Sequence, residues 1–235
     1  MSGRAGEIIT DIVEDGLVFN MDAANRASYP KTGDIWFDTI GTNQASFNGP
    51  QFDTLYNKDS IYFDGADDYL ITGNAGISDL TQCTMECWVR INSFSGYTGI
   101  FTLFSAGPYK GYGFNSNISN TIKFIVGYNN DGSFKYITSD NSFTAYTWYH
   151  LVGVVDSTEA YFYINGVRQT DNATYTTPSV PGNIPITFGR FYYHNNSYYG
   201  FNGRIASARI YNRVLSTSEV LHNFNALRGR FEVWD

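Results

Sequence analysis

Apolar and polar side chains alternate with a period of two along most of this chain, and clusters of Gly, Asn, Asp, Ser and Pro interrupt the alternation roughly every eight to twelve positions. A period of two is that of an extended strand, whose successive side chains point to opposite faces of a sheet. Twelve segments fit it: Gly16–Met21, Ser60–Phe63, Tyr69–Thr72, Cys83–Ile91, Ile100–Ser105, Gly111–Phe114, Thr121–Tyr128, Phe134–Thr138, Trp148–Val155, Ala160–Ile164, Ile186–Phe191 and Arg204–Tyr211. Parallel pairing would need a helical crossover of a dozen or more residues between strands, and no such stretch separates them. The pattern therefore predicts an all-β, antiparallel fold with no internal domain boundary. Its segment Ala23–Gln51, rich in turn formers, is expected to wrap an edge.

Within Cys83–Ile91 the alternation places Cys83, Met85, Cys87, Val89 and Ile91 on a core face, and Thr84, Glu86, Trp88 and Arg90 on a face expected to be only partly covered. The two cysteines then stand about 13 Å apart along one strand, too far for a disulfide, and read as small buried hydrophobes. Asn165-Gly166 is a strong hairpin signal, with the return strand beginning at Val167. One helix is signalled near the C-terminus. Ser216-Thr217-Ser218-Glu219 forms a capping box, Val220, Leu221, Phe224 and Leu227 form an apolar stripe, and Gly229 is the expected stop.

Composition excludes several function classes. The 235 residues carry only 16% charged side chains and a formal net charge of −7, with no Lys/Arg cluster, which removes the electrostatic footprint of nucleic-acid binding. No stretch approaches the ~20 apolar residues of a membrane helix, so no membrane insertion is expected. The 17% aromatic content supplies too much burial for a disordered chain. The N-terminal residues contain no apolar run of the secretory kind, which points to synthesis and retention in a cytoplasm.

Ordered blocks carry a family resemblance. Leu17-Val18-Phe19-Asn20-Met21-Asp22-Ala23, with Ser28-Tyr29-Pro30 and Trp36-Phe37-Asp38, is followed by Phe63-Asp64-Gly65-Ala66-Asp67-Asp68-Tyr69-Leu70 and Met85-Glu86-Cys87-Trp88-Val89. Trp148-Tyr149-His150-Leu151 through Tyr163-Ile164-Asn165-Gly166, and Phe201-Asn202-Gly203-Arg204-Ile205 through Ile210-Tyr211-Asn212-Arg213-Val214-Leu215-Ser216, complete the series. Together they resemble laminin-G-like domains of the concanavalin A-like lectin/glucanase superfamily, of the kind carried by bacteriophage structural proteins. The resemblance implies a two-sheet antiparallel jelly-roll sandwich with one short C-terminal helix, in which the first and last strands are neighbours. It divides the chain into an N-terminal tail (1–15), the jelly-roll domain (16–229) and a C-terminal tail (230–235).

The resemblance also implies a non-catalytic interaction module of a phage virion, made in the host cytoplasm. Its partners would be other virion proteins, further copies of itself or cell-surface glycans, and the alternatives are a stand-alone lectin and, less favoured, a glycoside hydrolase. A retaining glycosidase needs two carboxyls about 5–5.5 Å apart. There is no Glu-x-Asp-x-Glu run, and Glu86 has Thr84, Trp88 and Arg90 rather than acids on its own face, so no catalytic residue is assigned. Candidate ligand contacts are Trp88 and the aromatic tip residues Tyr192, Tyr193, His194, Tyr198 and Tyr199, whose rings and polar groups suit sugar stacking and hydrogen bonding. Asn92–Gly99 and the Asn129–Gly132 turn share that polar-aromatic character but read as hairpin tips. Asp64, Asp67 and Asp68 are candidate Ca²⁺ ligands, the competing reading being a tight turn capped by an Asp, with no cofactor. Ile8, Ile9, Ile12 and Val13 with Phe231, Val233 and Trp234 are either a docking patch or residues packed on their own domain.

Overall fold

A computed structural model describes residues 12–233 except 56–57, 75, 78–79, 95, 107–108, 181 and 192–199. The first of its two sheets runs in the order β14 (Val167–Thr174), β13 (Glu159–Ile164), β12 (Trp148–Val155), β7 (Cys83–Ser93), β16 (Asn202–Tyr211), β5 (Ser60–Asp64) and β4 (Gln51–Asp53), with β1 (Leu17–Asp22) also paired to β16. The second runs β11 (Ser133–Thr138), β10 (Thr121–Tyr128), β9 (Tyr109–Asn117), β8 (Thr98–Ala106), β15 (Pro185–Phe188), β6 (Tyr69–Asn74), β3 (Gln44–Asn48) and β2 (Ile35–Phe37). Every pairing is antiparallel, and the two sheets form a jelly-roll sandwich. The first and last strands are neighbours, Met21 lying opposite Ala208.

Cys83, Met85, Cys87, Val89 and Ile91 face inward and meet Leu103, Phe114, Phe124 and Phe188 of the other sheet in one continuous core. Both cysteines are free and buried, and burial pushes the Cys83 thiol up to about 12. Gly153 in β12 leaves room for the Phe124 ring crossing from the second sheet; a Cβ there would stand 2.3 Å from it.

Two expectations are corrected. Ala23–Gln51 is not only a wrap: β2 and β3 extend the edge of the second sheet, and β4 begins where that segment ends, at Gln51. Their Gln, Ser and Asn side chains suit short solvent-facing edges and blur the alternation. The helix α1 (Thr217–Phe231) also passes through Gly229 and ends at Glu232 in the left-handed conformation, so the 229/230 boundary falls inside it. A mid-helix glycine costs about 1 kcal/mol, and burying Phe231 against Trp88 and Trp148 offsets that.

Helix α1 lies across the outward row of the first sheet. Trp88 stacks on Phe231 and Phe224 with centroids 4.3 and 5.9 Å apart, and Val220 joins Val152, Val154, Tyr163 and Tyr211 in an adjoining cluster. The face expected to be only partly covered is therefore closed over Thr84, Glu86 and Trp88, while Arg90 at its end stays half-buried. At its centre Glu86, fully buried, accepts from Arg209 Nη1 at 2.8 Å and from Asn223 Nδ2 at 2.8 Å. Asn223 also donates to the Tyr211 hydroxyl and accepts the amide of Val13 through Oδ1, tying the N-terminal segment, helix and sheet together. The described parts of the two tails thus pack on their own domain: Ile12 and Val233 join the Trp88 cluster and Val13 the adjoining one. Ile8, Ile9 and Trp234 lie outside the described residues. Among the described residues no helix is long and apolar enough to cross a membrane.

Burial alone would raise the pKa of Glu86, but His150 at 3.5 Å, the Arg209 charge and Asn223 outweigh it and hold the carboxyl at about 2. A carboxyl whose folded pKa lies below its ordinary 4.5 adds stability that is complete above that value and is lost as pH falls toward 2. Urea unfolding at a series of acid pH values is expected to show this loss in the wild type and a flatter profile in Glu86→Gln. Glu86→Ala, which leaves the buried Arg209 only Asn20 and the more distant Asp22, is expected to cost about 3–5 kcal/mol.

Candidate functional site

The outer face of the second sheet carries the solvent-facing aromatic surface. Cross-strand pairing sets Thr102 opposite Gly113, Gly113 opposite Ile125, and Ile125 opposite Tyr136, so these positions form one row across β8 to β11. Asn115 lies opposite Lys123 in the neighbouring row, and Gly127 opposite Phe134 on the other side. At the centre Phe104 and Ile125 are buried beneath Phe191. Gly99 lets the chain after β15 settle this close, since a Cβ there would stand 2.6 Å from the Arg190 carbonyl.

Around this centre the rings come to the surface. Tyr97 is 45% exposed and its ring centroid is 6.0 Å from that of Tyr136. The Lys123 ammonium lies 5.3 Å from the Tyr97 centroid and 5.1 Å from that of Tyr136, a double cation–π contact. Tyr136 continues into Phe134 at 5.5 Å, and Phe134 into Tyr109, 39% exposed, at 4.4 Å. Burial, reinforced by the phenols of Tyr97 and Tyr109, raises the pKa of Tyr136, so its hydroxyl remains a donor at neutral pH. On the same face the buried Asn115 Oδ1, Asn117 Oδ1 and Thr121 Oγ1 have no hydrogen-bond partner. Flat aromatic faces with a cation held between two of them are groups that bind a hydroxyl-rich ring.

Tyr97, Lys123 and Tyr136 were not singled out by sequence. The available signal was the polar-aromatic character of Asn92–Gly99, while the other two positions look like ordinary strand residues until pairing brings them together. Trp88 is corrected: it is fully buried under α1 between Phe224, Phe231 and His150, on the opposite side of the sandwich, and offers no ring to a ligand. Tyr192, Tyr193, His194, Tyr198 and Tyr199 lie outside the described residues.

Asp64, Asp67 and Asp68 come together with carboxylate oxygens within 4.8 Å of one another, a set able to hold a hard cation. Two of them also cap the turn: Asp68 Oδ2 accepts the Asp64 amide at 2.8 Å and Asp64 Oδ1 the Ala66 amide at 2.7 Å. Burial and the charges of Asp64 and Asp67 together outweigh the Asp64 amide, and the Asp68 pKa rises. Its ionised form therefore costs the fold stability at neutral pH, and that cost disappears as pH falls through the carboxylate range.

Glu86 lacks both properties of a general acid, being inaccessible and held in its ionised form. Its guanidinium partner is Arg209, not the Arg90 on its own strand, which stacks on Tyr146 instead.

Residues 64–221 match the family described as the concanavalin A-like lectin/glucanases superfamily, of laminin-G type. No curated protein sequence matches the chain. Among solved structures, the binding domain of Paraclostridial mosquitocidal protein 1 is similar at 17% identity and a TM-score of 0.69, over 90% of this chain and 52% of that one. Domain 4 of AbnA, an extracellular arabinanase from Geobacillus stearothermophilus, in complex with arabinotriose, is similar at 18% identity and a TM-score of 0.67, over 90% and 99%. Trypanosoma rangeli sialidase with the inhibitor DANA is similar at 15% identity and a TM-score of 0.67, over 91% of this chain and 33% of the sialidase. The chain thus spans about half of the first and a third of the last, and the likeness is one of fold.

The turn at Asp64–Asp68 makes a test of its own. Asp68→Asn, which keeps an acceptor for the Asp64 amide and removes a charge, is expected to melt at or above the wild-type temperature, while Asp68→Ala loses about 1 kcal/mol. A wild-type melting temperature raised by millimolar calcium, with the rise abolished in Asp68→Asn, would make the turn a cation site instead.

Proposed function

We propose, from the premise that the chain belongs to the concanavalin A-like lectin/glucanase superfamily, that it is a non-catalytic interaction module that binds glycans on the outer face of its second sheet. The observation that carries this is the Tyr97–Lys123–Tyr136 cluster, a pair of surface rings with an ammonium between them. The first sheet's outer face is largely occupied by α1, whereas among the described residues Tyr97 and Tyr109 on this face stand open to solvent. Support comes also from the arabinanase domain, described in complex with a trisaccharide and similar over nearly its whole length. The alternative of a hydrolase centred on Glu86 has nothing in its favour in the surroundings of that residue.

The setting we propose is the surface of a phage virion, with sibling subunits or other virion proteins as further partners. What supports it is the resemblance of the ordered sequence blocks to domains of bacteriophage structural proteins; the three structural neighbours above are toxin and carbohydrate-active proteins. A stand-alone lectin would use the same surface in a different setting.

A glycan array without added calcium is expected to give hits. Tyr97→Ala and Tyr136→Ala should each weaken the best of them about two- to tenfold, the equivalent of an aromatic contact of ~0.5–1.5 kcal/mol. An array without hits, or hits indifferent to both variants, would remove the glycan reading. Mass spectrometry of purified particles from the source is expected to detect the chain, and its absence there would leave the lectin without the virion.

A further inference from the structure

A second site lies on the opposite side of the molecule, at the end of the first sheet, where the C-terminus of α1 meets the turn before β12. Its cavity of about 370 Å³ is lined by Lys58, Arg90, Tyr146, Trp148, Phe231 and Glu232. Trp148 and Phe231, 4.7 Å apart, make an apolar floor. Tyr146 stands at the rim with 63% of its surface exposed and its ring 5.1 Å from the Arg90 guanidinium, whose Nε donates to the Tyr146 carbonyl.

Two features set this cavity apart from an ordinary surface dent. Tyr146 has φ +65, a left-handed backbone conformation held by a bulky residue on its lining, whereas φ +55 at Glu232 is the ordinary left-handed cap that ends α1. Such positions favour glycine or asparagine, and a bulky side chain there marks strain that the surrounding structure maintains. The other feature is Lys58. Its side chain is only 7% exposed, yet its ammonium pairs at 2.9 Å with Glu232, whose own side chain is 72% exposed. A buried cation needs an anion, and here that anion sits in solvent, where exchanging it for another carboxylate costs little.

We infer that this cavity binds a carboxylate-bearing sugar unit of an acidic oligosaccharide. The ligand carboxylate replaces that of Glu232 on Lys58, with Arg90 adding positive charge, and the sugar ring lies against the exposed face of Tyr146. The volume, at the low end of small-molecule sites, suits a single ring. The protein's net charge of −7 would otherwise repel such a ligand, so selectivity comes from this local reversal of sign. The site is independent of the Tyr97 surface and stands or falls separately from it.

The test is isothermal titration of the full chain with trigalacturonate, with galactotriose as the uncharged control. Trigalacturonate is expected to bind and galactotriose to bind at least about tenfold more weakly, each 1.4 kcal/mol of lost ion pairing being one factor of ten. Lys58→Gln should abolish the preference, and Glu232→Gln, which removes the internal competitor, should tighten trigalacturonate binding. Tyr146→Gly, which relieves the backbone and removes the ring, should weaken binding about two- to tenfold without lowering the melting temperature. Tyr97→Ala should leave it unchanged. Equal affinity for the two trisaccharides, or weaker binding in Glu232→Gln, would overturn the proposal. If Lys58→Gln melts early, the Glu232→Gln and Tyr146→Gly variants decide the matter alone.

Discussion

A carboxylate with no access to water organises one whole side of this molecule. Glu86 stays charged under α1 because Arg209 and Asn223 each place a donor 2.8 Å from its oxygens, compensating a desolvation that would otherwise drive it neutral. Arg209 is itself buried and reaches Asp22 of β1 as well, while Arg230 from the last turn of α1 grips the same Asp22 through both oxygens. Helix, first strand and central strands are thus fastened by a chain of alternating charges as well as by the Trp88–Phe224–Phe231 stack. The apolar contacts supply most of the driving force, at ~1.5–3 kcal/mol for each buried ring or aliphatic side chain. The polar chain fixes where on the sheet the helix sits, since a slip along the sheet would leave charges unpaired.

The two outer faces are therefore used differently. One is committed to α1 and becomes a third layer. Among the described residues the other carries no helix, and its rings divide between Phe104 and Phe191, buried with Ile125 at the centre, and an exposed rim at Tyr97 and Tyr109. Low charge and high aromatic content follow from this arrangement: the rings fill two inner faces, the seat of one helix and a solvent-facing rim, which leaves few positions where an ion is needed. Several of the cations that do occur stack on rings, Lys123 and Arg190 on tyrosines, with Arg190 at 3.2 Å over Tyr69, and Lys31, Arg228 and Arg230 on phenylalanines.

How much of this was legible in the sequence depends on how local each signal was. The alternation in Cys83–Ile91 gave both faces of β7 correctly, and the capping box placed the start of α1, because each is decided within a few residues. The end of the helix is not legible because Gly229 is a local stop, whereas the burial of Phe231 that carries the helix past it is a tertiary effect. The burial of Trp88 is hidden for the same reason: alternation puts its ring outside the sandwich but cannot show that a helix more than a hundred residues later lies over it. The Tyr97–Lys123–Tyr136 cluster draws on residues flanking or within three strands, and only strand register brings them together. Conversely, the Asp64–Asp68 cluster was visible at once because a tight turn keeps its members close in sequence and in space.

The position of Asn223 has a mechanical consequence. The ladder between β1 and β16 begins with Leu17 opposite Tyr211, so the two chain ends leave it at the same rung. Tension pulling those ends apart would open the ladder like a zipper, one pair at a time, which is the weak direction for a sheet. Asn223 stands ahead of that first rung, holding the Val13 amide with its oxygen and Glu86 and Tyr211 with its nitrogen. A load therefore meets this three-way clasp ahead of the first strand pair, together with the Arg213–Asp15 pair and the Asn212 amide on the Gly16 carbonyl, so the side chain that seats the helix also shares in guarding the ladder's open end.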